Sequence, residues 1–202
     1  MKNIDDLMES ARELQDRGLK TGEIADELNV SRETVNWLLS QDSGEEEEVP
    51  SDIHVDWSAI GGSSKRLSLV SQALVDLIRE DVGDEVEVVV GIAKAGTPVA
   101  SLVAEELGCE LADYTPRKQK WTGEEYDSLR GSFSRNFADV GGKKCVIVDD
   151  VVTSGTTMTE AIRFVEEKNG DPISAAVLAN KSNETVIDGV RINSLIQVVP
   201  VE

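Results

Sequence analysis

Four segments of this chain read as β-strands, and the most apolar of them have no polar alternation. "EVEVVVGI" (85–92), "CELADYT" (109–115), "CVIVDDV" (145–151) and "ISAAVLAN" (173–180) are separated by stretches of helical period. The helical segments are "RLSLVSQALVDLI" (66–78), "TPVASLVAEEL" (97–107) and "TMTEAIRFVEEK" (157–168). A strand that is apolar on both faces must be covered on both faces, and a strand–helix–strand rhythm supplies that cover. The fold class is therefore α/β, a parallel sheet flanked by helices.

The first 40 residues follow a different rule. Ile4, Leu7, Met8, Ala11 and Leu14 share one helical stripe that ends near Gly18. Thr21 is placed to cap a second helix with Ile24, Ala25 and Leu28 inward. After "NVS", Ser31 is placed to cap a third, with Val35, Leu38 and Leu39 on its apolar side. Asn29 suits the left-handed backbone of a tight turn. The stretch "QDSGEEEEVPSD" (41–52) has no apolar period and reads as a solvated linker. The expected organisation is a small all-α domain at 1–41, an acidic linker at 42–56 and the α/β domain at 57–202.

"CVIVDDVVTSGTT" carries the densest chemistry. Val146, Ile147 and Val148 fill a strand, so Asp149 and Asp150 emerge at its carboxyl end, where open α/β sheets bind ligands. Two adjacent carboxylates suit the vicinal hydroxyls of a ribose. Thr153, Ser154, Gly155, Thr156 and Thr157 then lead into a helix, whose first N–H groups and the loop hydroxyls suit a phosphate. A plain strand-to-helix turn capped by Ser and Thr would leave the paired aspartates as needless like charges.

This segment closely resembles the phosphoribosyl-pyrophosphate (PRPP) motif of the type I phosphoribosyltransferases, most of all the orotate branch, over roughly residues 57–202. The resemblance implies that Asp149 and Asp150 hold the ribose hydroxyls and that Thr153–Thr157 hold the 5′-phosphate. "GIAKAGTPVA" stands where the family has its pyrophosphate loop, which assigns Ala93, Lys94, Ala95 and Gly96 to the ligand. Gly91 and Gly96 would let backbone N–H groups approach an anion. The resemblance also implies that Mg²⁺ can accompany a pyrophosphate ligand, although the sequence holds no dedicated metal-ligand cluster.

Two departures from the orotate branch matter. The basic cluster Arg117, Lys118 and Lys120 in "RKQKWTG" resembles the family's mobile loop, and Lys118 and Lys120 are the catalytic candidates. The family's loop histidine has no counterpart, since the only histidine is His54. The same cations would also balance Glu124 and Glu125. After the last core strand, the Asp-Arg pair that grips orotate is replaced by Asn180 and Lys181 in "LANKSNE". Lysine lacks the planar fork of arginine.

"TGEIADELNVSRETVNWLL" has helix-turn-helix spacing, which suits a DNA reader and, in short segments, also a protein docking module. Ser31, Arg32, Glu33, Thr34 and Asn36 would project at the start of the recognition helix, with Arg32 suited to a guanine or a phosphate. Trp37 is either a packing or a dimer contact. The composition sharpens the question, because 39 acidic residues against 20 basic ones give a net charge of −19. Such a balance excludes indiscriminate nucleic-acid binding. It agrees with a locally less acidic head and with a salt-rich, halophilic cytoplasm. Cys109 and Cys145 read as buried thiols, with a disulfide open on count alone. No signal core or membrane span is legible, so the expected location is cytoplasmic.

At whole-chain level the arrangement resembles the GfcR-type regulators of sugar catabolism in haloarchaea. That resemblance implies a transcription regulator whose partners are promoter DNA, a phosphorylated small-molecule effector, and a second copy of the chain in a homodimer or larger oligomer. An active orotate-type phosphoribosyltransferase is the alternative.

Overall fold

The computed structural model describes residues 4–40, 52–116 and 131–199. Its first elements are α1 (Ile4–Asp16), α2 (Thr21–Leu28) and α3 (Arg32–Ser40). Ala11, Leu14, Ile24, Ala25, Leu28, Val35 and Leu38 form their common core. Ala25 and Val35 are fully buried, so the small side chain at 25 lets α2 and α3 approach. Trp37 joins this core, which settles it as a packing residue. Ile4 departs from the expected stripe and is exposed in the first turn of α1.

The α2–α3 connection is Asn29, Val30 and Ser31. Asn29 adopts φ 54°, and its N–H donates to the Ala25 carbonyl. The hydroxyl of Ser31 accepts from the Thr34 N–H at 3.0 Å, capping α3 as expected. The cap of α2 differs from the expectation. Thr21 is already helical, and the Glu23 carboxylate accepts from the Lys20 N–H at 2.7 Å. The helix start is thus fixed by a carboxylate reaching back to the residue before the helix, and not by a threonine hydroxyl accepting from the first turn.

The remaining elements are α4 (Ser58–Gly61), α5 (Ser64–Val82), β1 (Val88–Ile92), α6 (Gly96–Leu107), β2 (Glu110–Thr115), β3 (Ser132–Phe133), β4 (Lys144–Val152), α7 (Thr156–Glu167), β5 (Asp171–Asn180), β6 (Val186–Ile187) and β7 (Val190–Gln197). They build a 7-stranded sheet in the order β3-β2-β1-β4-β5-β7-β6. The inner strands pair in parallel, and β3 and β6 close the edges antiparallel. The expected parallel sheet is present, with these two short strands as additions.

Alternation along the strands divides the core in two. Val89, Val146, Val148, Ala176 and Leu178 face α5 and α6. Val88, Val90, Ile92, Cys145, Ile147 and Val177 face α7 through Met158, Ala161, Ile162 and Val165. Each fully buried Val or Ile contributes about 1.5–3 kcal/mol by leaving water. Both cysteines are free thiols, and burial pushes Cys145 up to about 12.

The β6–β7 hairpin was not read from the sequence. Its turn is Asp188-Gly189, with φ 47° and 84°, the pair of positive values that a two-residue hairpin requires. Aspartate followed by glycine between apolar runs was the available signal.

Among the parallel strands the winding reverses between β1 and β4. Loops leaving the carboxyl ends of those two strands diverge, and the crevice between them is where this architecture binds ligands.

Candidate functional site

The β4 strand delivers Asp149 and Asp150 to that crevice. Asp149 is buried, and its Oδ1 accepts from the Asp150 N–H at 2.9 Å. Asp150 is more open, and its Oδ2 accepts from the indole N–H of Trp57 at 2.8 Å. Trp57 lies just before α4 and was not anticipated as a site residue.

From the β1 side come Ala93, Lys94 and Ala95, with Lys94 exposed. The Ala93–Lys94 peptide is cis. At the start of α6, Thr97 donates its hydroxyl to Asp113 of β2 at 2.6 Å, tying the loop to the sheet. A Cβ on Gly91 would stand 2.8 Å from that of Ala100, and one on Gly96 would stand 2.6 Å from the Val148 carbonyl. Close packing of α6 therefore requires both glycines, a role the sequence reading did not assign.

The Thr153–Thr157 loop turns at Gly155, which takes φ 75° and precedes α7. Its donors converge. The Ser154 N–H and hydroxyl reach one oxygen of Asp26, at 2.8 and 2.6 Å. The Thr157 N–H and hydroxyl reach the other, at 3.0 and 2.9 Å. Asp26 belongs to α2, so a carboxylate from the amino-terminal helices sits at the amino end of α7. Charge-assisted bonds of this kind are the strong class, and the helix dipole adds to them. The Thr153 hydroxyl is buried in the same loop without a hydrogen-bond partner.

These groups form one cavity of about 180 Å³, lined by Ala93, Lys94, Ala95, Asp149, Asp150, Gly155 and Thr157 from the sheet side. Asp26, Glu27 and Asn29 line it from α2. Asp26, Trp57 and Asn29 are the site residues that sequence reasoning missed. Aspartate in an acidic helix carries no local mark of a partner 131 residues away. Arg117, Lys118 and Lys120 lie outside the described residues, so their expected place over the ligand has no structural account.

The two residues that replace the Asp-Arg pair are engaged within the chain. Lys181, at the end of β5, lies 3.1 Å from Asp52 and donates to the Asn29 carbonyl at 2.7 Å. Asp52 also accepts from the Ser31 N–H at 2.5 Å and the Thr34 hydroxyl at 2.8 Å. Burial works to raise the Asp52 pKa, but those hydrogen bonds and the charge of Lys181 outweigh it and leave the pKa lowered. On Lys181 burial dominates over the attraction of Asp52, and its pKa is lowered. Asn180 is fully buried; its amide donates to the Glu184 carbonyl, and its oxygen accepts from the Ser182 N–H.

The five side chains at the start of α3 divide. The Ser31 and Thr34 hydroxyls hold each other, and that of Thr34 also donates to Asp52. Arg32 reaches the Thr156 hydroxyl at 2.8 Å. Glu33 and Asn36 are exposed.

Comparison with known proteins places the family and the fold. The family described as phosphoribosyl transferase domain matches residues 56–194. A protein of Halobacterium salinarum named transcriptional regulator GfcR is 50% identical, over 100% of this chain and 98% of its own length. Its namesake in Methanosarcina mazei is 47% identical, over 100% of both chains. The solved orotate phosphoribosyltransferase of Aeropyrum pernix covers 93% of each chain with a TM-score of 0.55 at 21% identity, a likeness of fold. A chain so similar along its whole length, with the phosphoribosyl transferase domain behind three amino-terminal helices, belongs to the GfcR family of transcriptional regulators.

Proposed function

We propose that this chain is a DNA-binding regulator of sugar-catabolic genes that senses a phosphorylated metabolite, PRPP or a sugar phosphate, through a phosphoribosyltransferase-like domain. The observation that carries the reading is an asymmetry within one site. The phosphate end presents two N–H groups and two hydroxyls converging on a single anion position. At the base end Asn180 and Lys181 stand in place of the Asp-Arg pair, without the planar fork that grips a carboxylate, and both are bonded to protein groups. Binding of a phosphorylated sugar is supported, and transfer to a base is not favoured.

In this reading Asp149 and Asp150 accept from ribose hydroxyls, and Lys94 neutralises a second phosphoryl group. Mg²⁺ would enter chelated by the oxygens of a pyrophosphate. Among the described residues no group of three or more His, Cys, Asp or Glu is placed to hold a metal ion. α2 and α3 form the helix-turn-helix, with Arg32 reading DNA, and a homodimer would set two heads at half-site spacing. No described helix is long and apolar enough to cross a membrane, which agrees with a regulator at work in the cytoplasm.

The decisive experiment incubates the protein with PRPP, Mg²⁺ and a panel of bases including orotate, and measures pyrophosphate release. The regulator reading expects ligand binding without turnover. Sustained release with any base would establish the alternative, an active phosphoribosyltransferase. In parallel, DNA fragments selected by the protein from a random pool should reveal a two-fold sequence; failure to enrich one would remove the DNA-reading role.

A further inference from the structure

The Asp26 carboxylate stands where a phosphate would. It takes two hydrogen bonds on each oxygen from four donors of the loop, at the amino end of a 12-residue helix. A dianionic phosphate placed on those donors would occupy the same volume beside a like charge. Carboxylate and phosphate therefore exclude each other.

The rest of the head is fitted to the same contact. Arg32 donates to Thr156, and the Ser154 hydroxyl lies 3.2 Å from the Gly22 carbonyl. A Cβ on Gly22 would stand 2.9 Å from the Thr156 hydroxyl and 3.2 Å from the Arg32 guanidinium. Gly22 lies in the first turn of a helix, where alanine is the better former, and the space its missing side chain leaves is filled by the docked loop. The second ligand-binding carboxylate is covered as well, because Trp57 donates to Asp150.

We infer that the amino-terminal head is an internal competitor for the sugar-phosphate site: Asp26 mimics the phosphate, and a phosphate monoester displaces it and releases the head. This rests on the reading of the Thr153–Thr157 loop as a phosphate site. In the docked state the Arg32 side chain is engaged by Thr156 and the Thr34 hydroxyl by Asp52. Ligand and DNA therefore both favour the released head, and each strengthens the binding of the other.

The test uses the full chain with ribose 5-phosphate as the probe, followed by calorimetry and small-angle scattering. A head docked in roughly nine molecules of ten weakens apparent affinity about 10-fold. Asp26→Ala, which removes the mimic, and Gly22→Leu, which wedges the contact while leaving every loop residue unaltered, should both bind ribose 5-phosphate about 10-fold more tightly than the wild type. Both should be expanded in scattering, and ribose 5-phosphate should expand the wild type to match them. Unchanged affinity in both variants, or binding to the wild type without expansion, would overturn the competition. If Asp26→Ala expands the chain yet no form binds ribose 5-phosphate, the phosphate-site reading fails and takes the competition with it, while the docking contact stands.

Discussion

Lys181 and Asp52 face each other at 3.1 Å where the sheet meets the amino-terminal helices, with 4% and 12% of their side chains exposed. The pair joins the end of β5 to the start of α3. Removing Asp52 leaves a buried ammonium with only the Asn29 carbonyl. Removing Lys181 leaves a carboxylate still held by Ser31 and Thr34. Asp52→Ala should therefore cost about 1 kcal/mol, bounded by the docking free energy of the head, and Lys181→Met clearly less. Thermal unfolding of both variants checks the order, and an equal or larger loss for Lys181→Met would remove the pair as the link.

Acid should act on the same pair. The Asp52 carboxyl has a lowered pKa in the fold, so its contribution is complete above the ordinary value near 3.8. It is lost as pH falls through the lowered folded value. Between pH 5 and 2.5 the wild type should lose more stability than Asp52→Asn. Parallel denaturation curves for the two proteins across that window would contradict the assignment.

Asp150 and Trp57 give opposite expectations at one hydrogen bond. Asp150→Asn should weaken PRPP binding about 10-fold, the loss of one charge-assisted bond. Trp57→Phe keeps the ring but frees the carboxylate, and should leave PRPP binding equal or tighter. Titration calorimetry reads both; weaker binding in Trp57→Phe would mean that the indole holds the ligand itself.

Arg32 has two partners to lose. Arg32→Ala should abolish specific DNA binding in high salt. By removing the bond to Thr156 it should also tighten ribose 5-phosphate binding a few-fold, about 1 kcal/mol or less. Electrophoretic mobility shift and calorimetry on one preparation separate the two effects. Specific DNA binding that survives the change would assign base reading to other residues.

The sheet and its loops were legible because their signals are local. Val146–Val148 followed by two carboxylates and a glycine-turned loop spell out a strand end and a helix start within a few residues. Ala25, Asn29 and Val35 likewise announce their packing and their turn. What escaped reading depends on distance. Asp52 sits in an acidic stretch where nothing sets it apart from the glutamates before it, yet it holds the Ser31 N–H at the start of α3 and pairs with Lys181. Asp26 looks like one more solvated charge on an acidic helix until the fold brings Ser154 and Thr157 to it. Lys181 was read only as a replacement in the base-gripping pair, and nothing nearby in the sequence marked Asp52 as its partner.

The register Gly91↔Val148 places the two ligand loops on neighbouring strands, each hydrogen-bonded to the next along a fully buried ladder. Such a floor offers a bound molecule no hinge. News of occupancy must travel through whatever rests on top, so a different lid tethered to an unaltered floor would turn one chemical cue to a different output.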